Sequence, residues 1–108
     1  MMQWIRIFGS KEEMMNRLVV RKLFTVAIGQ RKICLLRDDA GVAAFNALCP
    51  HAGASLSDGF VNASNEVVCP LHGYRFGLLD GKEKSGHVCE LVLYATELRA
   101  DGFYLGFK

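Results

Sequence analysis

Cys49-Pro50-His51-Ala52-Gly53-Ala54-Ser55-Leu56-Ser57-Asp58-Gly59 is answered further along the chain by Cys69-Pro70-Leu71-His72-Gly73-Tyr74-Arg75-Phe76. Each stretch sets a thiol and an imidazole one or two residues apart, directly after an apolar, strand-like run, and each continues at once into Gly or Ala-Gly. Outward from this pair the pattern is mainly β. Residues 4–8 read as a first strand. Residues 23–28 alternate, with Phe24, Val26 and Ile28 on one face and Leu23, Thr25 and Ala27 on the other. Gly29-Gln30 suits a two-residue hairpin turn into a strand over 31–37, residues 38–41 turn the chain, and residues 42–47 lead into the first Cys/His loop. Residues 60–61 and 66–69 flank a second hairpin, residues 74–79 follow the second loop and turn at Asp80-Gly81, and residues 91–98 and 103–107 close the chain across Asp101-Gly102. Between the first two strands, Ser10 as N-cap and Glu13 at the capping-box position predict a helix of at most two turns, with Met14, Met15 and Leu18 on its buried side.

The chain has 108 residues, 51% hydrophobic and 22% charged, enough for one domain over 1–108 with one core. A domain of this size buries only roughly 60–70% of its unfolded surface, so a bound metal adds materially to its stability. Net charge is +2, but residues 1–37 carry eight Lys/Arg against two Glu, and residues 38–108 carry five against nine Asp/Glu. The basic residues are scattered rather than gathered in a stripe, which argues against nucleic acid as a partner. No apolar run approaches the ~18 residues of a bilayer span, so no membrane association is expected. The first residues lack the basic start, apolar core and small-residue cleavage site of a secretory signal, giving a cytoplasmic expectation. In a reducing compartment, Cys beside His argues for metal ligation over a disulfide framework.

Two loops that face each other with one Cys and one His apiece offer two sulfur and two nitrogen donors to one inorganic centre. Zinc accepts that set tetrahedrally. Zinc fingers, however, usually pair Cys with Cys and His with His on successive elements. One thiolate and one imidazole per loop suits a two-iron cluster, in which one iron takes both thiolates and the other both imidazoles. Taken jointly, the two stretches resemble the Rieske [2Fe-2S] motif, with the soluble Rieske-type ferredoxins of oxygenase systems as the nearest branch. The resemblance runs from Trp4 to the Asp101-Gly102-Phe103 turn.

That resemblance implies an all-β fold: an antiparallel β-sandwich or incomplete barrel made from the two ends of the chain, with a cluster-binding subdomain at about 44–80 inserted between them. It implies that Cys49 and Cys69 hold the inner iron and His51 and His72 the outer, solvent-facing iron of a [2Fe-2S] cluster. The implied role is that of a one-electron carrier, not an enzyme, taking electrons from a flavin-dependent reductase and passing them to a terminal oxygenase. The alternatives are a small subunit docked on the large subunit of a nitrite reductase-like enzyme and, remotely, a structural zinc module. At 108 residues, the two-domain catalytic subunit of a Rieske oxygenase is not expected.

Several residues depart from or refine the pattern. Where the cytochrome bc type has a disulfide, this chain has Ala54 and Leu71. Where that type places Ser and Tyr hydroxyls near the cluster, this chain has Tyr74 and Phe76, which points to a low potential. Phe76-Gly77 replaces the usual Phe-Asp, and residues 83–90 contain no Pro. Gly53 and Gly73 can adopt positive φ and are expected to bring N–H groups toward the bridging sulfides. Cys34 and Cys89 read as core thiols, His87 as a lone solvent-facing loop residue, and Tyr74 and Arg75 as either partner contacts or loop packing.

Overall fold

The structure is a computed structural model that describes every residue except Ala52. In chain order its elements are β1 (Gln3–Phe8), α1 (Lys11–Arg17), β2 (Phe24–Ile28), β3 (Arg31–Asp38), β4 (Gly41–Asn46), β5 (Phe60–Val61), β6 (Glu66–Val68), β7 (Arg75–Gly77), β8 (Leu93–Arg99) and β9 (Gly102–Phe107), with a short 3-10 turn at Leu56–Asp58. All pairings between strands are antiparallel. Six strands form one sheet in the order β1-β9-β8-β4-β3-β2, and β5-β6-β7 form a second. The larger sheet curls until its two edges approach: Phe8 of β1 and Phe24 of β2 lie 6.1 Å apart, ring centre to ring centre. Its edges are not joined by a strand ladder among the described residues, so the expected all-β incomplete barrel is what the chain forms.

β3 explains how one strand serves two cores. Ile33, Cys34, Leu35 and Leu36 are all fully buried. Because successive side chains of a strand point to opposite faces, Ile33 and Leu35 join Phe8, Phe103 and Leu105 inside the curl. Cys34 and Leu36 instead join Phe45, Phe76, Cys49 and Cys69 on the other side. This second core packs the small sheet against the large one, and Cys49 and Cys69 form part of it.

Strand ends differ from the sequence expectation where backbone groups are claimed elsewhere or the partner strand ends. The closing strand starts at Leu93, not at residue 91, because Leu91 donates its N–H to Gly81. β7 stops at Gly77, where its partner strand begins: the residue opposite Leu78 is Asn65, which is in the left-handed conformation (φ 60) of the hairpin turn. The helix forms as the cap predicts, with the Ser10 hydroxyl accepting the Glu13 N–H at 3.1 Å. Met15 is corrected: it is 41% exposed, while Met14 and Leu18 are buried. Leu18 lies four residues on from Met14 and shares its face, whereas Met15 sits about 100° round the helix from Met14.

Candidate metal centre

The two Cys/His loops fold as one turn used twice. In the first, the Cys49 N–H donates to the Ala54 carbonyl at 2.8 Å and the Gly53 N–H donates back to the Cys49 carbonyl at 2.8 Å. In the second, Cys69 donates to Tyr74 at 2.8 Å and Gly73 to Cys69 at 3.0 Å. Both turns require a left-handed residue at the same place, and Gly53 (φ 68) and Gly73 (φ 71) supply it without a Cβ penalty. The N–H groups of these two glycines themselves are donated to the cysteine carbonyls, so what Gly53 and Gly73 supply directly is the left-handed backbone conformation of the turn.

This shared frame sorts the donors by depth. Cys49 and Cys69 are 2% and 1% exposed, packed among Leu56, Val67 and Phe76. His51 and His72 are exposed, with ring centres 5.4 Å apart and ring planes at 71°. Soft thiol donors therefore lie inside and imidazoles outside, on loops that face each other. A two-iron cluster asks for two protein donors per metal, which two buried thiols and two surface imidazoles can supply.

A third loop, residues 78–90, walls the site and is built around Glu83. This side chain was not singled out in the sequence, because its partners are backbone groups brought near only by folding. Glu83 is 8% exposed. Its carboxylate accepts the Arg75 N–H at 2.9 Å, the Ser85 N–H at 2.6 Å and the His87 N–H at 3.1 Å. Burial pushes its pKa up, but these hydrogen bonds from Arg75, His87 and Ser85 outweigh burial and hold it at about 2, below the ordinary 4.5. The group's stabilising effect is therefore complete above about pH 4.5 and is lost as pH falls toward 2. Glu83→Gln is expected to orphan at least one N–H, costing about 1–3 kcal/mol. It should also shrink the drop in thermal midpoint between pH 6 and pH 3.5; an unchanged acid response would show that the carboxylate does not organise the loop.

Arg75 belongs to the same framework. Its guanidinium reaches Glu66 at 3.3 Å, the Ser85 hydroxyl at 3.2 Å and the Lys84 carbonyl at 3.4 Å, so loop packing accounts for it. Gly77 lies beside the Lys84–Asp80 ion pair, and a Cβ there would meet the flexible ends of both side chains, 2.7 Å from Lys84 Cε and 2.8 Å from Asp80 Oδ1. Cys34 is fully buried, and burial pushes its thiol pKa up, partly offset by its contact with Thr25. Cys89 is half-buried in the third loop, where burial and the Glu83 charge both push its thiol up, away from the thiolate form. No disulfide joins cysteines among the described residues. His87 is exposed as expected, but its ring lies flat on Tyr74.

Residues 4–92 match the family described as Rieske [2Fe-2S] domain. Among curated proteins, the carnitine monooxygenase oxygenase subunit of Acinetobacter pittii (strain PHEA-2) is 32% identical over 90 residues, covering 82% of this chain and 23% of that protein. The ferredoxin component of the naphthalene 1,2-dioxygenase/salicylate 5-hydroxylase systems of Ralstonia sp is 37% identical over 57 residues, covering 53% of this chain and 54% of that one. The chain thus spans about half or less of the length of these relatives. Among solved structures, the ferredoxin of carbazole 1,9a-dioxygenase from Nocardioides aromaticivorans IC177 superposes with a TM-score of 0.80 at 24% identity, covering 95% of this chain and 96% of that one. At that identity the likeness establishes the fold. No helix among the described residues is long and apolar enough to cross a membrane.

Proposed function

Because this chain belongs to the Rieske [2Fe-2S] domain family, and so to proteins built around a [2Fe-2S] cluster, we propose that Cys49 and Cys69 hold the inner iron and His51 and His72 the outer one. In the same proposal, residues 44–80 are the cluster-binding subdomain and the chain is a soluble cytoplasmic one-electron carrier, supplied by a flavin-dependent reductase and discharging to a terminal oxygenase. The observation that carries it is the depth ordering: both thiols buried, both imidazole edges at the surface. The cluster supplies a one-electron couple. The chain's own residues do the rest: the doubled turn orients the donors, the packing of Leu56, Val67 and Phe76 keeps water from the thiolates, and His51 and His72 present the shortest way out.

Iron and acid-labile sulfide in equal amounts, two of each per chain, are the expected analysis, with a red-brown colour. One colourless zinc per chain would support the structural module instead. Rapid mixing of the reduced protein with a candidate oxygenase should give electron transfer without a permanent complex. Lasting co-elution with a large reductase subunit would favour the nitrite reductase-like alternative.

Tuning follows from the hydroxyls. Phe76 is fully buried and has no oxygen to donate to the cluster, which removes one hydroxyl donor. Fewer hydrogen bonds to sulfur mean less stabilisation of the added electron. Protein-film voltammetry is expected to place the potential in the lower half of the roughly −150 to +300 mV range of such centres. A value near the upper limit would contradict this.

A further inference from the structure

The two outer-iron donors are not equivalent. The His51 ring lies on Tyr74, with centres 4.2 Å apart and planes at 14°, and Tyr74 lies on His87 at 3.9 Å and 4°. Three rings thus form one parallel column that starts at His51 and ends at the exposed His87. His72 stands outside it: its ring meets His51 only edge-on, at 5.4 Å and 71°, and is 6.5 Å from Tyr74 with its plane at 58°, so no ring lies flat on it among the described residues. Among the described residues neither His51 nor His72 has a hydrogen bond from its ring. The hydrogen-bonded partner that usually fixes a ligating imidazole is therefore replaced, for His51 alone, by a stack.

We propose that His87 is a positioning residue that fixes the ring plane of His51 through Tyr74. The column is held at both ends. At the outer end, Glu83 accepts the His87 N–H, and the same carboxylate accepts the N–H of Arg75, the neighbour of Tyr74. At the inner end, the Tyr74 carbonyl accepts the Cys69 N–H, tying the stacked residue into the second donor loop. One carboxylate thereby fixes the spacing between the loop that carries His87 and the strand that follows Tyr74. An imidazole attached through one nitrogen can rotate about that bond, and a flat aromatic neighbour restricts the rotation by excluding the orientations that clash with it. The consequence is a single, narrow ring orientation for His51 and a broader one for His72.

This inference rests on the ligand assignment above, and its test separates the two. Pulsed electron paramagnetic resonance of the dithionite-reduced holoprotein resolves the hyperfine couplings of the two ligating nitrogens. In His87→Ala, one coupling is expected to shift and lose its narrow line while the other stays in place. His87→Phe keeps a ring on Tyr74 and should restore the narrow line. Tyr74→Leu should reproduce the change, and adding His87→Ala to it should change nothing further. His87→Ala spectra identical to wild type, or both couplings moving together, would overturn the positioning role. A wild-type protein that shows no ligating-nitrogen coupling at all would overturn the ligand assignment instead. His87 is exposed and its tie to Glu83 is through the backbone, so cluster content by iron analysis should match wild type in both His87 variants. Loss of cluster in His87→Phe as well as His87→Ala would also overturn the proposal, because His87 would then serve assembly rather than orientation.

Discussion

Cys69→Ala is expected to give a colourless protein that retains its larger sheet. The residue is 1% exposed and lies in the core shared by the two loops, so water cannot replace the thiolate it is proposed to supply. Its backbone bonds to Tyr74 and Gly73 survive the substitution, since both use main-chain atoms. The core inside the curl, built from Phe8, Ile33, Leu35, Phe103 and Leu105, does not include the cluster loops. Far-ultraviolet circular dichroism should therefore stay close to wild type while visible absorbance and iron content vanish. Thermal stability should fall, because metal binding free energy in a small domain is also folding free energy. Cys34→Ala is the matched control: an equally buried thiol in the same core, on a strand away from both donor loops, whose loss should leave the visible spectrum intact. A Cys69→Ala protein with the wild-type spectrum would remove that residue from the ligand set.

Gly59→Ala is expected to damage the site without touching a donor. A Cβ at Gly59 would overlap the Val68 carbonyl oxygen and lie 3.3 Å from the Leu56 carbonyl oxygen. Both are backbone atoms, so no side-chain rotation can relieve the overlap. The φ of −89° is ordinary, so the requirement is for space and not for a special conformation. Val68 immediately precedes Cys69, and Gly59 ends the 3-10 turn that closes the first donor loop. The added methyl must therefore push the two loops apart at their base. Overpacking of this kind costs about 1–3 kcal/mol and occasionally more. Against the marginal stability of a small domain, that should appear as poor cluster loading and a lowered melting temperature. Normal iron content with an unchanged melting temperature would show that the strand can yield, and that the loops do not depend on this contact for their spacing.

What the sequence disclosed and what it hid divide along physical lines. Alternation in β2 and the turn residues at Gly29, Asp38-Gly41 and Asp101-Gly102 are local signals, and the strands they predict are present. The Cys/His loops were legible because ligand chemistry demands residue types that chance rarely sets in this order. Pairing between strands distant in sequence was not, since β1 pairs with β9 across nearly the whole chain and no local pattern encodes that. The continuous apolar run of β3 could have been a buried helix or strand by periodicity alone, and only the two-core packing explains it. Glu83 was invisible for a different reason: a carboxylate satisfied by three backbone N–H groups looks like any surface Glu until the loop is folded. His87 and Tyr74 each read as ordinary loop residues because their stacking joins two loops.

Continuous-wave electron paramagnetic resonance of the anaerobically prepared, dithionite-reduced protein bears most directly on the asymmetric ligation of two irons by Cys49, Cys69, His51 and His72. Mixed thiolate and imidazole ligation predicts a rhombic signal whose average g-value lies below that of all-thiolate [2Fe-2S] ferredoxins. A signal with the all-thiolate average, or an iron-free protein with no signal, would contradict the account.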